Sequence, residues 1–598
     1  MKKNFAKISD PGERKIQSVL KFVSFLFTRP GFGLLKKMAK RALGKQHKEP
    51  GYNEWIHTKL NPDILQKDFK ENSGALKLKP KISIVIAAHD SKNSQLSASV
   101  NSVIEQSYIN WELLVSDKLA TQSLQQDERI RPVPVNDNFH TATILNALCA
   151  AASGDHILFM GVGDLLTPNC LFEIVKHINT CPSDTLIYTD EDIIENGAFS
   201  TPHFKPGWSP DSLLSRNYIG HAIVIKKQLT GKLSFRGDYE DCLFYDYLLR
   251  ATELTNHIGR IPEVLYHCSA NPLPGSYSIS AKRALGEAIA RRNTPGTVNG
   301  IPGTRGCFSI QYEVAKIEKV SIIIPTKDNT PMLKTALDSI FEKTNYPDYE
   351  IIVLNNNSSS PEFFRLIKEY GETHANTFRC IDANFPFNFA KLMNLGVAHS
   401  TGAYILMCNN DIEVIQDDWL IKMVANAQQK RTGAVGVKLL YPDNTIQHAG
   451  IVLGIDGASG HAFVNRDKDD NGYFYRLKTV TNYSAVTAAC MMCRKEVYTE
   501  VDGMDETLEV EYNDLDLCLK FLKNGYYNIY LPSVEVYHYE SATRGHPFRS
   551  TSSWKQHEKD LAIFKSKWQN YIDDDPFYDP NLSRETTDFS IRTTRAAL

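Results

Sequence analysis

Two kinds of apolar pattern alternate along this chain. Short β-branched runs bounded by polar residues, such as VSIIIPT at 320–326 and YEIIVLNN at 349–356, flank amphipathic stretches such as MLKTALDSIFEKT at 332–344. Strands alternating with helices of this length predict βαβ units and an α/β fold built on a mostly parallel sheet. A run that is apolar throughout, such as AYILMC at 403–408, predicts a strand covered on both faces. Ligands of such sheets sit beyond the carboxyl ends of the strands, so residues 326–329, 355–358 and 409–413 are the places to look for chemistry.

The pattern occurs twice. KISIVI at 81–86 and KVSIII at 319–324 stand about 238 positions apart, and ELLVSD at 112–117 falls on EIIVLN at 350–355 with the same offset. LFMGVGDLLTP, with Asp164, answers LMCNNDIEV, with Asp411. FYDYLLR answers NDLDLCLK, and Tyr266-His267 answers Tyr537-His538. Five correspondences in constant order mark a duplicated domain. The 598 residues divide into a basic extension (1–78), a first copy (79–296), a Gly/Pro/Thr-rich linker (297–316), a second copy (317–545) and a C-terminal extension (546–598). The last has a helical pattern at 552–568 and then turns irregular and polar, which predicts a packed C-terminal extension ending in a loose tail.

Composition narrows the class. A net charge of −2 supplies no basic field for nucleic acid. Eleven cysteines are scattered, many in apolar runs, as for reduced buried thiols of a cytosolic protein. Cys490 and Cys493 form a lone CxxC that reads as part of a buried element. Only the first 48 residues break the neutrality, with 13 Lys or Arg against two acids. IQSVLKFVSFLF at 16–27 is too short to span a bilayer and is interrupted by Lys21, and no small-residue cleavage site follows it. This stretch suits peripheral contact with an anionic membrane surface, and equally a helix packed on the protein with its lysines in water.

The chemistry gathers in the second copy. Asn409-Asn410-Asp411 closes a predicted strand with a carboxylate at the cleft edge, where a hard divalent cation takes oxygen ligands. Alone, Asp411 reads as well as a turn or cap residue. Further on, EYNDLD at 511–516 places acids just before an amphipathic helix, where the helix dipole favours them. Asp516 reads as structural and Asp514 as facing the cleft. His538, after the last strand, reads as a metal or phosphate contact.

VSIIIPTKDN, EIIVLNNNSS, NFPFNFAKLMNLG, YILMCNNDIEV, GAVGVKLLYPDNTIQHAG, SAVTAACMMCRKEV, EYNDLDLCLK and YHYESATRG, in this order, resemble family-2 glycosyltransferases with the GT-A fold. The match is to tandem-domain members associated with bacterial cell-surface polysaccharide synthesis. The resemblance implies two tandem GT-A domains with helical extensions, a nucleotide-sugar donor and a glycan or lipid-linked glycan acceptor. It also implies Mg²⁺ or Mn²⁺, while the scattered cysteines point to a cytoplasmic enzyme and the basic stretch 1–48 leaves room for peripheral contact with the inner face of the membrane. Residues 409–411 become a variant of the DxD motif, with Asp411 on the metal and Asn409 and Asn410 beside the donor. Asn355 stands where many relatives carry a base-gripping Asp, Thr326 begins the loop beneath it, Asp514 matches the catalytic base and His538 a metal or diphosphate contact. The implied reaction is an inverting single displacement.

The first copy departs from this pattern. Phe244 falls on Asp514, Gly161 and Gly163 stand where relatives place acids, and Asp117, Asp164 and His267 remain. The expectation is one working site, in the second copy. The alternatives are a two-site polymerase and a first copy that serves as a glycan-binding or scaffolding module.

Overall fold

The computed structural model describes residues 51–88, 93–116, 127–135, 140–269, 279–539 and 551–592. Both copies lie within one compact unit, Ile56–Leu598. The basic stretch 1–48 lies outside the described residues.

The duplication is visible strand by strand. In the first copy the sheet runs Ile130–Pro132, Trp111–Val115, Ile82–Ile86, His156–Met160, Ile223–Lys226, Leu186–Glu195, Ile258–Cys268, Leu165–Leu166. In the second it runs Phe378–Asp382, Tyr349–Asn355, Val320–Thr326, Tyr404–Cys408, Cys490–Arg494, Thr432–Leu440, Tyr527–His538, Ile412–Val414. Every position has its counterpart. The first four strands of each sheet are parallel, and the other half is mixed. All seven residues of Val320–Thr326 are buried, because helices cover both faces. Ile322 and Ile324 pack with Leu333 and Ile340 on one face, while Ile323 meets Leu392 and Met393 on the other, as period-two alternation requires.

One buried carboxylate sews the parallel half of each sheet together. Glu350 accepts from Ser321 Oγ on the neighbouring strand (2.6 Å) and from Thr401 N at the entry to the next (2.7 Å). Its other oxygen takes Arg379 from the strand on its far side (2.8 Å). Glu112 repeats this with Ser83 (2.6 Å), Ser153 N (2.6 Å) and Arg131 (2.8 Å). Burial alone would raise the Glu112 carboxyl, but the hydrogen bonds outweigh it and hold the group down at about 2. The glycines following Ser153 and Thr401 are required by close approach. A β-carbon on Gly154 or Gly402 would lie 2.6 Å from the carbonyl of Lys81 or Lys319.

Two expectations need correction. The Gly/Pro/Thr-rich stretch forms an antiparallel hairpin, Gly296–Gly300 with Phe308–Tyr312, whose Val298 and Phe308 complete the first copy's core. The polar C-terminal residues do not trail away: after helix Thr551–Asp573, Phe577, Tyr578 and Phe589 are buried. Pro576 O accepts from Gly207 N (2.8 Å), and Asn581 donates to Pro262 O (2.9 Å), so the segment grips the first copy. Polar composition hid this because these contacts join groups more than 300 residues apart in sequence. The copies also meet directly. Asp211 takes Arg431 (2.7 Å) and Asn482 Nδ2 (2.9 Å), and Asn482 Oδ1 accepts from Asp211 N (3.0 Å).

Replacing Asp211 with Ala strands Arg431 in this buried junction and should cost about 3–5 kcal/mol, read as a lowered thermal midpoint. Glu112 is depressed in the folded state, so its stabilisation is present above the unfolded pKa and lost as pH falls from about 4.5 towards 2. Thermal midpoints across that window should fall less steeply for Glu112→Gln than for the unaltered chain. Equal slopes would contradict the brace.

Candidate active site

The register of the parallel strands lines up a row of polar side chains at their carboxyl ends. Thr326 lies opposite Asn355, and Asn355 opposite Asp382. Asn355 Nδ2 donates to Asp382 Oδ1 (2.8 Å), and its Oδ1 accepts from Ser358 N (2.9 Å). Thr326 Oγ1 accepts from Asn410 Nδ2 (2.8 Å). The loops beyond are tied by Asp328, whose carboxylate accepts from Ser360 N and Ser359 N and is held below its ordinary pKa by those bonds.

Asp411 follows this row and is buried. Its Oδ1 makes no hydrogen bond and lies 3.3 Å from His538 Nε2. Asn409 Nδ2 stands 3.2 Å from the same nitrogen. His538 Nδ1 is buried without a partner. A buried carboxylate oxygen without a hydrogen bond and an imidazole nitrogen thus converge within 3.3 Å at the carboxyl end of the sheet. The donor set therefore fits a divalent metal. Behind it His448 is fully buried, and burial together with His461 beside it lowers its pKa well below the usual histidine value.

Asp514 lies in the first turn of helix Asn513–Lys523 and is half-buried. Its Oδ2 accepts from Ala488 N (3.0 Å), while Asn409 N donates to Ala489 O (3.0 Å), so adjacent residues of one segment carry both groups. Asp516 points elsewhere, to Trp568 Nε1 (2.8 Å), Lys567 and Lys520.

In the first copy the equivalent groups are spent internally. Asp164 accepts from Tyr266 OH (2.6 Å), Ser269 N (2.7 Å) and Ser269 Oγ (2.9 Å). Gly161 allows this, since a β-carbon there would strike Asp164 Oδ2. His267 turns to Asp192 (2.6 Å) and stacks under Phe199, with ring centroids 4.1 Å apart. Phe244 packs on Phe159 and Phe235, at 5.5 and 5.4 Å. Glu240, an acid near Phe244, caps the helix at Thr141 N (2.8 Å). Asp117 lies outside the described residues.

The model of the family "Glycosyl transferase family 2" matches residues 83–220 and 321–502, more than half of the chain and one stretch in each copy. The chain belongs to this family. It is 37% identical to the uncharacterized protein y4gI of Sinorhizobium fredii, over 86% of this chain and 59% of that protein. It is 32% identical to the O-antigen biosynthesis protein RfbC of Myxococcus xanthus, over 88% of this chain and 42% of that protein. The chain thus spans about half the length of these relatives. The mannosyltransferase PcManGT of Pyrobaculum calidifontis, solved with GDP-Man and Mn²⁺, aligns with a TM-score of 0.32 at 18% identity, over 47% of this chain and 70% of that one.

Asp514 and His538 lie beyond the second matched stretch of this family 2 chain, and so does a feature that sequence reasoning missed. The C-terminal helix holds the loop that delivers Asp514. Fully buried Asp560 accepts from Val510 N and Glu511 N (3.0 Å each), and His557 meets Glu511 (2.6 Å). Tyr512 adopts φ +62°, a left-handed conformation unusual for an aromatic residue, and stacks on Phe564 at 5.0 Å. The signal was faint: one Asp at 560 in a helix pattern. Asp382 was also missed, although an acid ending FRCID marks another strand terminus.

Asp560→Ala should speed amide hydrogen exchange at Val510 and Glu511 roughly tenfold or more, since both lose their acceptor. Asp560→Asn keeps an acceptor oxygen and should restore much of the protection. Unchanged exchange in the alanine variant would refute the bracing role.

Proposed function

We propose that the chain is an inverting, metal-dependent glycosyltransferase working in the cleft of its second copy. Its donor is a nucleotide sugar and its acceptor a hydroxyl of a glycan or lipid-linked glycan, in the synthesis of surface polysaccharide of the O-antigen or capsule kind. The observation that carries this reading is the contrast between the two aspartates: Asp411 leaves one buried oxygen without a donor, facing His538, whereas Asp164 accepts three hydrogen bonds. The similarity to RfbC, an O-antigen biosynthesis protein, supports the biosynthetic setting.

In this mechanism Asp514 accepts the proton of the acceptor hydroxyl as its oxygen attacks the anomeric carbon. The bond from that carbon to the nucleotide diphosphate breaks on the opposite face. The hydroxyl becomes acidic only as the new bond forms, so a positioned carboxylate suffices. Thr326, Asn355, Asn409 and Asn410 line the donor side. Asp411 and His538 would hold Mg²⁺ or Mn²⁺, which offsets charge developing on the leaving diphosphate. The first copy, with Phe244 where a base belongs, braces the enzyme or binds glycan. Among the described residues no helix is long and apolar enough to cross a membrane. The basic stretch 1–48 suits peripheral contact with the inner face of the cytoplasmic membrane.

Asp514→Asn should lower transfer by about 10²–10⁴-fold while leaving nucleotide-sugar binding nearly intact. Asp164→Asn should leave turnover unchanged. Both are checked with the purified chain against a panel of nucleotide sugars, with and without Mn²⁺. Near-normal turnover by Asp514→Asn would sink the assignment, and separate activities lost with each variant would favour a two-site polymerase.

A further inference from the structure

The first copy holds another convergence of side chains, which glycosyl transfer does not use. Glu191 lies on strand Leu186–Glu195, His221 stands just before strand Ile223–Lys226, and Cys268 ends strand Ile258–Cys268. Cys268 Sγ is 3.7 Å from His221 Nδ1, and Glu191 Oε1 is 3.9 Å from the same nitrogen. All three donor atoms lie within 4.8 Å of one another. Glu191 and Cys268 are buried, while the His221 side chain is 40% exposed.

The Glu191 carboxylate is held by one oxygen only. Oε2 takes Lys205 Nζ (3.0 Å), His221 N (3.0 Å) and Ala222 N (3.4 Å). Oε1 has no hydrogen-bond partner, although the side chain is fully buried. Gly220, at φ +74°, makes room for this oxygen, since a β-carbon there would strike it. A carboxylate pinned through one oxygen, with the other directed at an imidazole and a thiol, has the form that outer hydrogen bonds impose on a monodentate metal ligand.

We propose that Glu191, His221 and Cys268 form a binding site for a borderline divalent cation of the zinc type, distinct from the pair Asp411–His538 in the second copy. Carboxylate, imidazole and thiolate together are a zinc ligand set, and a sulfur ligand does not suit Mg²⁺. Three protein ligands leave the fourth tetrahedral position to water, reached past the exposed part of His221. Burial holds the Cys268 thiol above its ordinary pKa, so cation binding releases that proton to solvent as the sulfur–metal bond forms. Lys205 does not compete for the free oxygen, because its Nζ serves Glu191 Oε2 and the carbonyl of Ile219 (2.6 Å). The carboxylates of Glu191, Asp164 and Asp192 face Cys268 against the cation of Lys205, so negative charge prevails around the sulfur and offsets the added positive charge. The cation would tie together three neighbouring strands of the first copy's sheet.

Titration of the full chain with Co²⁺ tests this through the charge-transfer absorption that a thiolate ligand gives to cobalt, with Zn²⁺ added as competitor. The expected result is a saturable band that Zn²⁺ abolishes and Mg²⁺ does not. Cys268→Ser should remove it, and His221→Ala should weaken binding by about tenfold or more. Asp411→Asn should keep the band, as should Cys181→Ser, which removes the thiol of the half-buried group His177, Cys181 and Asp184. Absence of the band from the unaltered chain, its survival in Cys268→Ser, or its loss in Cys181→Ser would overturn the proposal. Half-exposed His221 provides a variant that tests the site even if Cys268→Ser disturbs the core.

Discussion

Glu350, and Glu112 in the first copy, is the interaction on which the remaining architecture rests. From the second strand of the order, one carboxylate reaches serine on the third, arginine on the first and a backbone amide at the entry to the fourth. A parallel sheet has evenly spaced, slanted bonds, slightly less stable per residue than antiparallel ones. A buried acid satisfied from three directions is costly to displace, because each lost donor leaves charge in the interior. Register locked at the amino ends also sets which residues emerge level with one another at the carboxyl ends. That is why Asp382, Asn355 and Thr326 form a row.

The two copies share this frame and differ at the far end. Their strand orders coincide throughout, so the difference between the clefts is local chemistry on a common scaffold. In the second copy an Asp411 oxygen without a hydrogen bond faces the His538 imidazole. In the first, glycine at 161 lets the aspartate fold back onto Tyr266 and Ser269, and the histidine is turned away and covered. A fold alone does not assign activity, and here two examples of one fold diverge in the polar groups at their strand ends.

Much of the architecture was legible in the chain. Apolar runs at 320–326 and 403–408 marked buried strands because an element covered on both faces can tolerate few polar side chains. The repeat was legible because two copies packing the same core keep the same pattern. The segments at 297–316 and after 573 were misread. Glycine, proline and acidic residues there suggested looseness, yet Val298 and Phe308 enter the core and Phe577, Tyr578 and Phe589 are buried. Their stabilising partners lie far away in sequence, and composition carries no information about them.

The sequence by itself determined the duplicated α/β architecture, the family, and the residue types at each strand end, including Phe244 where the second copy has Asp514. These follow from local periodicity and from matching one copy against the other. Only the tertiary structure decided how each polar group is used. Asp164 and Asp411 are equivalent in sequence, but one is satisfied by neighbours more than 100 residues away and the other is not. It also decided that Asp560 steadies the approach to Asp514, and that Glu191, His221 and Cys268 converge. The reason is physical: the availability of a lone pair depends on which donors the fold brings within about 3 Å, and that is a property of packing.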